Sequence, residues 1–420
     1  MRPFFKDESF NFLTEIALGA TYHQAADVGE VLSTAERIRN GDARSWVREW
    51  TATAGRLAGE AHASADAGRS QSAARQFLRV SMYYSLASSA ADGTDDAGLF
   101  GELWEKHRAA WDRFVDLAGL AVERIEIPYE GTALPGYFFR AGPAGELRRT
   151  LIFNNGSDGP VTGAWVQGIA DALERGWNAV TFDGPGQNAA LVRQGLLFRP
   201  DWEKVITPVV DHLLTRPDVD PGKIALLGVS QAGYWVPRSV AFEPRIAAAV
   251  ADPGVVDVAA TMTGQVPHFL MKMLEAGEKD KFDKDMGLAL RFSSATRSMM
   301  AFRMRPYGTT SPYEFFTAAR GYALTDEMIG KITCPVLVTD PEHEQFWPGQ
   351  SRELYDKLPG PKALAVFTEE EGADSHCEPA GNGLRGERIF DWLDQHIPAS
   401  AARLTPAQTP QPDGADGGDA

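Results

Sequence analysis

Cysteine is nearly missing: Cys334 and Cys377 are the only two in 420 residues. That is too few for a disulfide framework or a thiolate metal site, and it fits a reducing compartment. Positive charge is also in short supply, with 41 Lys and Arg against 57 Asp and Glu and a formal net charge of -16. An average surface of that sign repels phosphate backbones and anionic lipid, so neither nucleic acid nor membrane is an expected partner. Nowhere do ~18 uncharged apolar residues run together, the length a membrane-spanning helix needs. The opening "MRPFFKDESFNFL" puts Lys6, Asp7 and Glu8 where a secretory signal would carry its apolar stretch, so a cytoplasmic location is expected.

What is present is ample for a globular enzyme: 44% hydrophobic residues, and a length that at ~100–200 residues per domain suggests two or three units. Residues 1–120 read as an N-terminal helical cap. Segments such as "ADVGEVLSTAERIRNGD" and "SAARQFLRVSMYYSLASSA" space apolar residues at three and four between Gly and Asp breaks. Trp46 and Trp50 share one helical face, as a packed helix interface or as the wall of a ligand pocket.

Near residue 121 the texture changes. "VERIEIPYEGTALPGYFFRAG" predicts an antiparallel strand pair. "TLIFNNGSDG", "WNAVTFDGPGQN", "KIALLGVSQAG", "IAAAVADPG" and "CPVLVTDPE" are apolar strands that each run into a polar, Gly-rich loop, mostly with helix-length segments between them. That alternation predicts an α/β fold with a mostly parallel, doubly wound sheet over 121–254 and 331–398. The helical stretch 255–330 is too long for an ordinary connection and is expected to form a lid. Residues 399–420 are Pro, Gly and Asp with little apolar content, a disordered tail by composition.

Chemistry gathers at "LGVSQAGYW". Ser230 follows an apolar strand and precedes a segment able to start a helix, the context of a nucleophile elbow, although Ala232 stands where GxSxG has its second glycine. A serine hydroxyl needs a base, an acid that orients the base, and N–H donors for the oxyanion. His376, in the polar loop "EEEGADSHCEPAGN" after "ALAVF", is the candidate base. For the acid, Glu344 lies four residues before Pro348; Asp340 and Asp252, at the ends of two strands, are alternates. The N–H of Gln231 and one from Gly156 or Ser157 are candidates for the oxyanion hole. Asp158 in the same loop is either a helix cap or a second acid or base beside the substrate. Cys377 invites comparison as a nucleophile, but no elbow-like turn surrounds it, and "FDGPGQN" lacks the Lys and Ser/Thr of a phosphate-binding loop.

The motifs "FNNGSDG", "FDGPGQ", "RPDVDPGKIALLGVSQAGYWVPR" and "EGADSHC" resemble α/β-hydrolases related to dihydroxypseudooxynicotine hydrolase, the fermentation-respiration switch protein and fungal polyketide-shortening hydrolases. The likeness runs from about residue 2 to 397. It implies an α/β-hydrolase fold under a helical cap, a Ser230, Glu344, His376 triad and an acidic residue at Asp158. It further implies cleavage of a carbon–carbon or ester bond in an aromatic or polyketide-like small molecule, and commonly a homodimer. Ala232 departs from the pattern, as does Asn188, where "GPGQG" would have glycine. No cofactor and no metal is required. Two other readings stay open: an acyltransferase or cyclase using the same triad, and a non-catalytic regulatory protein on a hydrolase scaffold.

Overall fold

The computed structural model describes residues 3–399 apart from 265 and 293; all but the first residue of the tail assigned by composition lies outside that set. Five helices come first: α1 (Glu8–Gly19), α2 (Val28–Arg37), α3 (Ala43–Asp66), α4 (Ser70–Ser88) and α5 (Leu99–Leu117). Aspartates open three of them. The carboxylates of Asp7, Asp27 and Asp42 accept first-turn N–H groups that a helix leaves without an internal partner.

Eight strands follow in one sheet: β1 (Val122–Tyr129), β2 (Thr132–Phe139), β3 (Arg148–Asn154), β4 (Asn178–Phe182), β5 (Val219–Val229), β6 (Ala248–Asp252), β7 (Val336–Pro341) and β8 (Lys362–Phe367). Their order is β1-β2-β4-β3-β5-β6-β7-β8. The β1–β2 hairpin closes through Glu130 and Gly131, both at positive φ, as a two-residue turn requires. Every pairing from β4 onward along that order is parallel.

Alternation along the strands splits the core. Leu151 and Phe153 face one side of β3 and Ile152 the other. The first side shares a continuous apolar cluster with the five N-terminal helices, through Trp46, Trp111, Phe139 and Val229. The change of texture near residue 121 is therefore no gap in packing. Trp46 and Trp50 are fully buried among Phe10, Tyr83 and each other, a helix interface and not a pocket wall. The 255–330 segment is largely helical, with a small core of its own around Phe282, Phe315 and Phe316. Among the described residues no helix is long and apolar enough to cross a membrane.

Candidate active site

β5 sits mid-sheet and ends at Val229, so Ser230 occupies the turn between strand and the helix Ala232–Val240. Its φ is +58°, a left-handed conformation that costs a residue bearing Cβ about 1–3 kcal/mol. The strain is held by the Ser230 N–H, which donates to the Asp252 carbonyl at 2.6 Å and lies 3.2 Å from the Cys377 sulfur. A Cβ on Gly228 would lie 2.5 Å from Val236 Cγ2, and one on Gly233 only 1.8 Å from the Pro253 carbonyl oxygen. The tight crossing thus needs glycine at 228 and 233, while Ala232 fits, fully buried.

The loop after β8 carries His376, and the loop after β7 carries Glu344. His376 Nδ1 and Glu344 Oε2 are 2.8 Å apart, with each side chain only 5% exposed. Glu344 Oε1 also accepts the N–H groups of Phe346 and Trp347 at 2.8 and 3.0 Å. Burial works against the charge on Glu344, but the imidazole and these N–H groups outweigh it and hold the carboxyl below its usual range. A carboxylate on Nδ1 keeps the proton there and leaves the Nε2 lone pair free. Nε2 is buried with no hydrogen-bond partner among the described residues. It makes no hydrogen bond to the Ser230 hydroxyl; catalytic hydrogen bonds often tighten only once substrate is bound.

The alternate acids are committed elsewhere. Asp340 pairs with Arg352 at 2.7 Å, and Asp252 is held by Arg385 Nε at 2.6 Å and Thr339 Oγ1 at 2.8 Å. Neither is bonded to the imidazole. Cys377 is buried; its thiol donates to the Asp252 carbonyl at 3.3 Å, and burial and the Asp252 charge push its pKa well up. A thiol held protonated this way braces the elbow and is no nucleophile.

The loop after β3 runs against the elbow: a Cβ on Gly156 would sit 2.7 Å from Ser230 Cβ and 3.3 Å from its hydroxyl oxygen. The Gly156 N–H, however, donates to Asn155 Oδ1 at 3.0 Å. With that N–H engaged, what Gly156 supplies here is room for the backbone to approach. The Ser157 N–H and the first-turn N–H of Gln231 are the remaining candidates. Asp158 does not cap the following helix, whose N-cap is Pro160; it is exposed and accepts the Ser157 hydroxyl at 2.8 Å.

Several neighbours escaped sequence reasoning. Phe346, Trp347 and Phe12 of α1 surround the imidazole, with ring centroids 4.6, 5.6 and 6.2 Å away. Glu15 of α1 accepts the hydroxyl of Ser375 at 3.2 Å, and burial pushes its carboxyl up. Behind the elbow, Glu378 and Arg385 are buried with Asp252. Aromatic and acidic residues are common in any loop, and nothing in the one-dimensional pattern marks these. Among the described residues no group of three or more His, Cys, Asp or Glu is placed to hold a metal ion.

An eight-stranded sheet with an elbow serine after β5 and an acid–imidazole pair after β7 and β8 defines an α/β-hydrolase scaffold, and the chain belongs to that family. It is 30% identical to hydrolase acrC of Aspergillus aculeatus over 428 residues, covering 94% of this chain and 98% of the other. It is 28% identical to hydrolase LUC6 of Fusarium sp. and to 20-hydroxy-prefusarin hydrolase FUS2 of Gibberella moniliformis, again across 94% of this chain and 98% of theirs. No family model matches the chain. The solved structure of 2,6-dihydroxy-pseudo-oxynicotine hydrolase superposes with a TM-score of 0.70 at 19% identity, covering 90% of this chain and 95% of that one. AbyA5 superposes with a TM-score of 0.62 at 18% identity, covering 89% and 91%. These two share the fold, and the curated relatives support hydrolase activity on it.

Proposed function

We propose that the protein is a serine hydrolase that cleaves a carbon–carbon bond of the β-diketone type, or an ester, in an aromatic or polyketide-like small molecule through an acyl-enzyme. The observation that carries this reading is Ser230 at φ +58° on its elbow, packed against the loop of His376, whose imidazole is paired in a buried contact with Glu344 of the neighbouring loop. His376 Nε2 takes the hydroxyl proton as Ser230 Oγ attacks the carbonyl. Glu344 keeps the ring oriented and balances the imidazolium. The N–H groups of Gln231 and Ser157 receive the oxyanion, and the imidazolium protonates the leaving group before water, activated by the same base, releases the acyl group. For a β-diketone the leaving carbon departs as an enolate, which a neighbouring ketone stabilises and which takes from the His376 imidazolium the proton that Ser230 gave up. The name of one relative, 20-hydroxy-prefusarin hydrolase, supports a small-molecule substrate. The proposal also includes a homodimer, which the resemblance implies, and a cytoplasmic location, which the scarcity of cysteine supports.

The same acyl-enzyme would serve an acyltransferase or cyclase if a hydroxyl replaced water, so products must be identified. Wild type and Ser230→Ala are to be incubated with matched ester and β-diketone panels and the products weighed by mass spectrometry. Loss of turnover by ~10³-fold or more in the variant is expected. Turnover retained on every compound overturns the serine mechanism, and products joined to a second molecule or cyclised favour acyl transfer.

A further inference from the structure

The oxyanion loop is held from outside by two adjacent side chains that the reaction scheme leaves idle. Gln187 lies in the tight loop after β4 and is buried. Its amide nitrogen donates to two successive carbonyls, Asn155 at 2.7 Å and Gly156 at 2.6 Å, while its oxygen accepts the Gly184 N–H at 2.9 Å. A trans peptide points its C=O and its N–H in opposite directions. With the Gly156 carbonyl drawn to Gln187, the N–H of the same peptide, which belongs to Ser157, projects to the far side. The Gly156 N–H is spent on Asn155, so Ser157 carries the one N–H of this pair left to face an oxyanion. That loop lies against Ser230.

The next residue continues the grip. Asn188, at φ +35°, donates from Nδ2 to the Gly159 carbonyl at 2.8 Å, and its Oδ1 accepts the indole N–H of Trp104 on α5 at 3.1 Å. The same segment is tied to α5 by the buried Arg108–Asp183 ion pair. A continuous set of hydrogen bonds therefore runs from the helical cap through residues 183–188 to both ends of the oxyanion loop. We propose that Gln187 is a positioning residue that aims the Ser157 N–H at the developing oxyanion, and that Asn188 extends that hold to the cap helix α5. This inference rests on the serine-hydrolase reading.

The test uses the full chain with p-nitrophenyl acetate as substrate and an aryl trifluoromethyl ketone as a mimic of the tetrahedral adduct. Gln187→Glu keeps the size and the acceptor for Gly184 but removes the donors. It is expected to lower kcat by about 10- to 100-fold with little change in KM, and to weaken the ketone by a similar factor. Asn188→Gly keeps a residue suited to positive φ and cuts both ties; a smaller loss in the same two quantities is expected. A role in folding alone would lower the melting temperature and leave the ketone affinity of the folded fraction intact. Should Gln187→Glu fail to fold, Asn188→Gly decides. Unchanged kcat and ketone affinity in the folded variants overturn the positioning role while Ser230→Ala remains inactive; activity in Ser230→Ala overturns the serine reading itself.

Discussion

Glu378, two residues beyond the candidate base, is fully buried and follows Cys377 in a second left-handed conformation, with φ of 57° and 48° in succession. Burial, reinforced by the neighbouring Asp252 charge and only partly offset by Arg385, pushes its carboxyl well above the ordinary value near 4.5. The unfolded chain gives up its proton near 4.5 and the folded chain only at higher pH. The stability this group contributes is therefore full below that value and is lost as pH rises through the folded one. Gln copies the neutral acid and has no such proton. The melting temperature of Glu378→Gln minus that of wild type is expected to grow from pH 5 to pH 8 in thermal melts; a difference that is flat, or that grows toward acid, contradicts a raised Glu378 carboxyl. Nothing in "SHCEPAGN" separates this glutamate from the exposed acids before it, because burial is set by Asp252 and Arg385, 126 positions back and 7 ahead in the chain. Ser230 was legible for the opposite reason: an elbow is a local feature, and small residues at 228, 232 and 233 write it into the sequence.

At the scale of elements, α1 does more than its helical periodicity announces. It lays Phe12 toward the imidazole, bonds Ser375 through Glu15, and ends on Gly19, whose added Cβ would fall 1.6 Å from the Pro379 carbonyl oxygen. Since the obstructing atom is backbone, Gly19→Ala must separate α1 from the short turn Pro379–Gly381. Overpacking of this kind costs about 1–3 kcal/mol. A lower melting temperature together with slower ester turnover is expected, since the displaced turn adjoins the base-bearing loop; wild-type values for both contradict the close docking. The periodicity of residues 8–19 predicts the helix, but which loop it covers depends on contacts some 360 residues away in the chain.

Across the whole molecule the convergence follows from strand order. β5, β6, β7 and β8 are consecutive neighbours, so loops at their carboxyl ends gather Ser230, Asp252, Glu344 and His376 along one edge of the sheet. That much was legible, because five apolar strands ending in polar loops, with Ser, acid and His in chain order, allow few other arrangements. Of Glu344, Asp340 and Asp252 it is Glu344 that is bonded to the imidazole, while guanidinium partners, Arg352 and Arg385, hold the other two, contacts that no local pattern in the sequence announces. The helices of residues 255–330 were legible from pattern, and their small core around Phe282 was not, because that core depends on how the helices cross. The most direct test of the account is to treat the intact protein with a fluorophosphonate and locate the adduct by peptide mass spectrometry. The account predicts a single adduct on Ser230, formed much more slowly in His376→Ala; no adduct, or one on another residue at an unchanged rate, contradicts it.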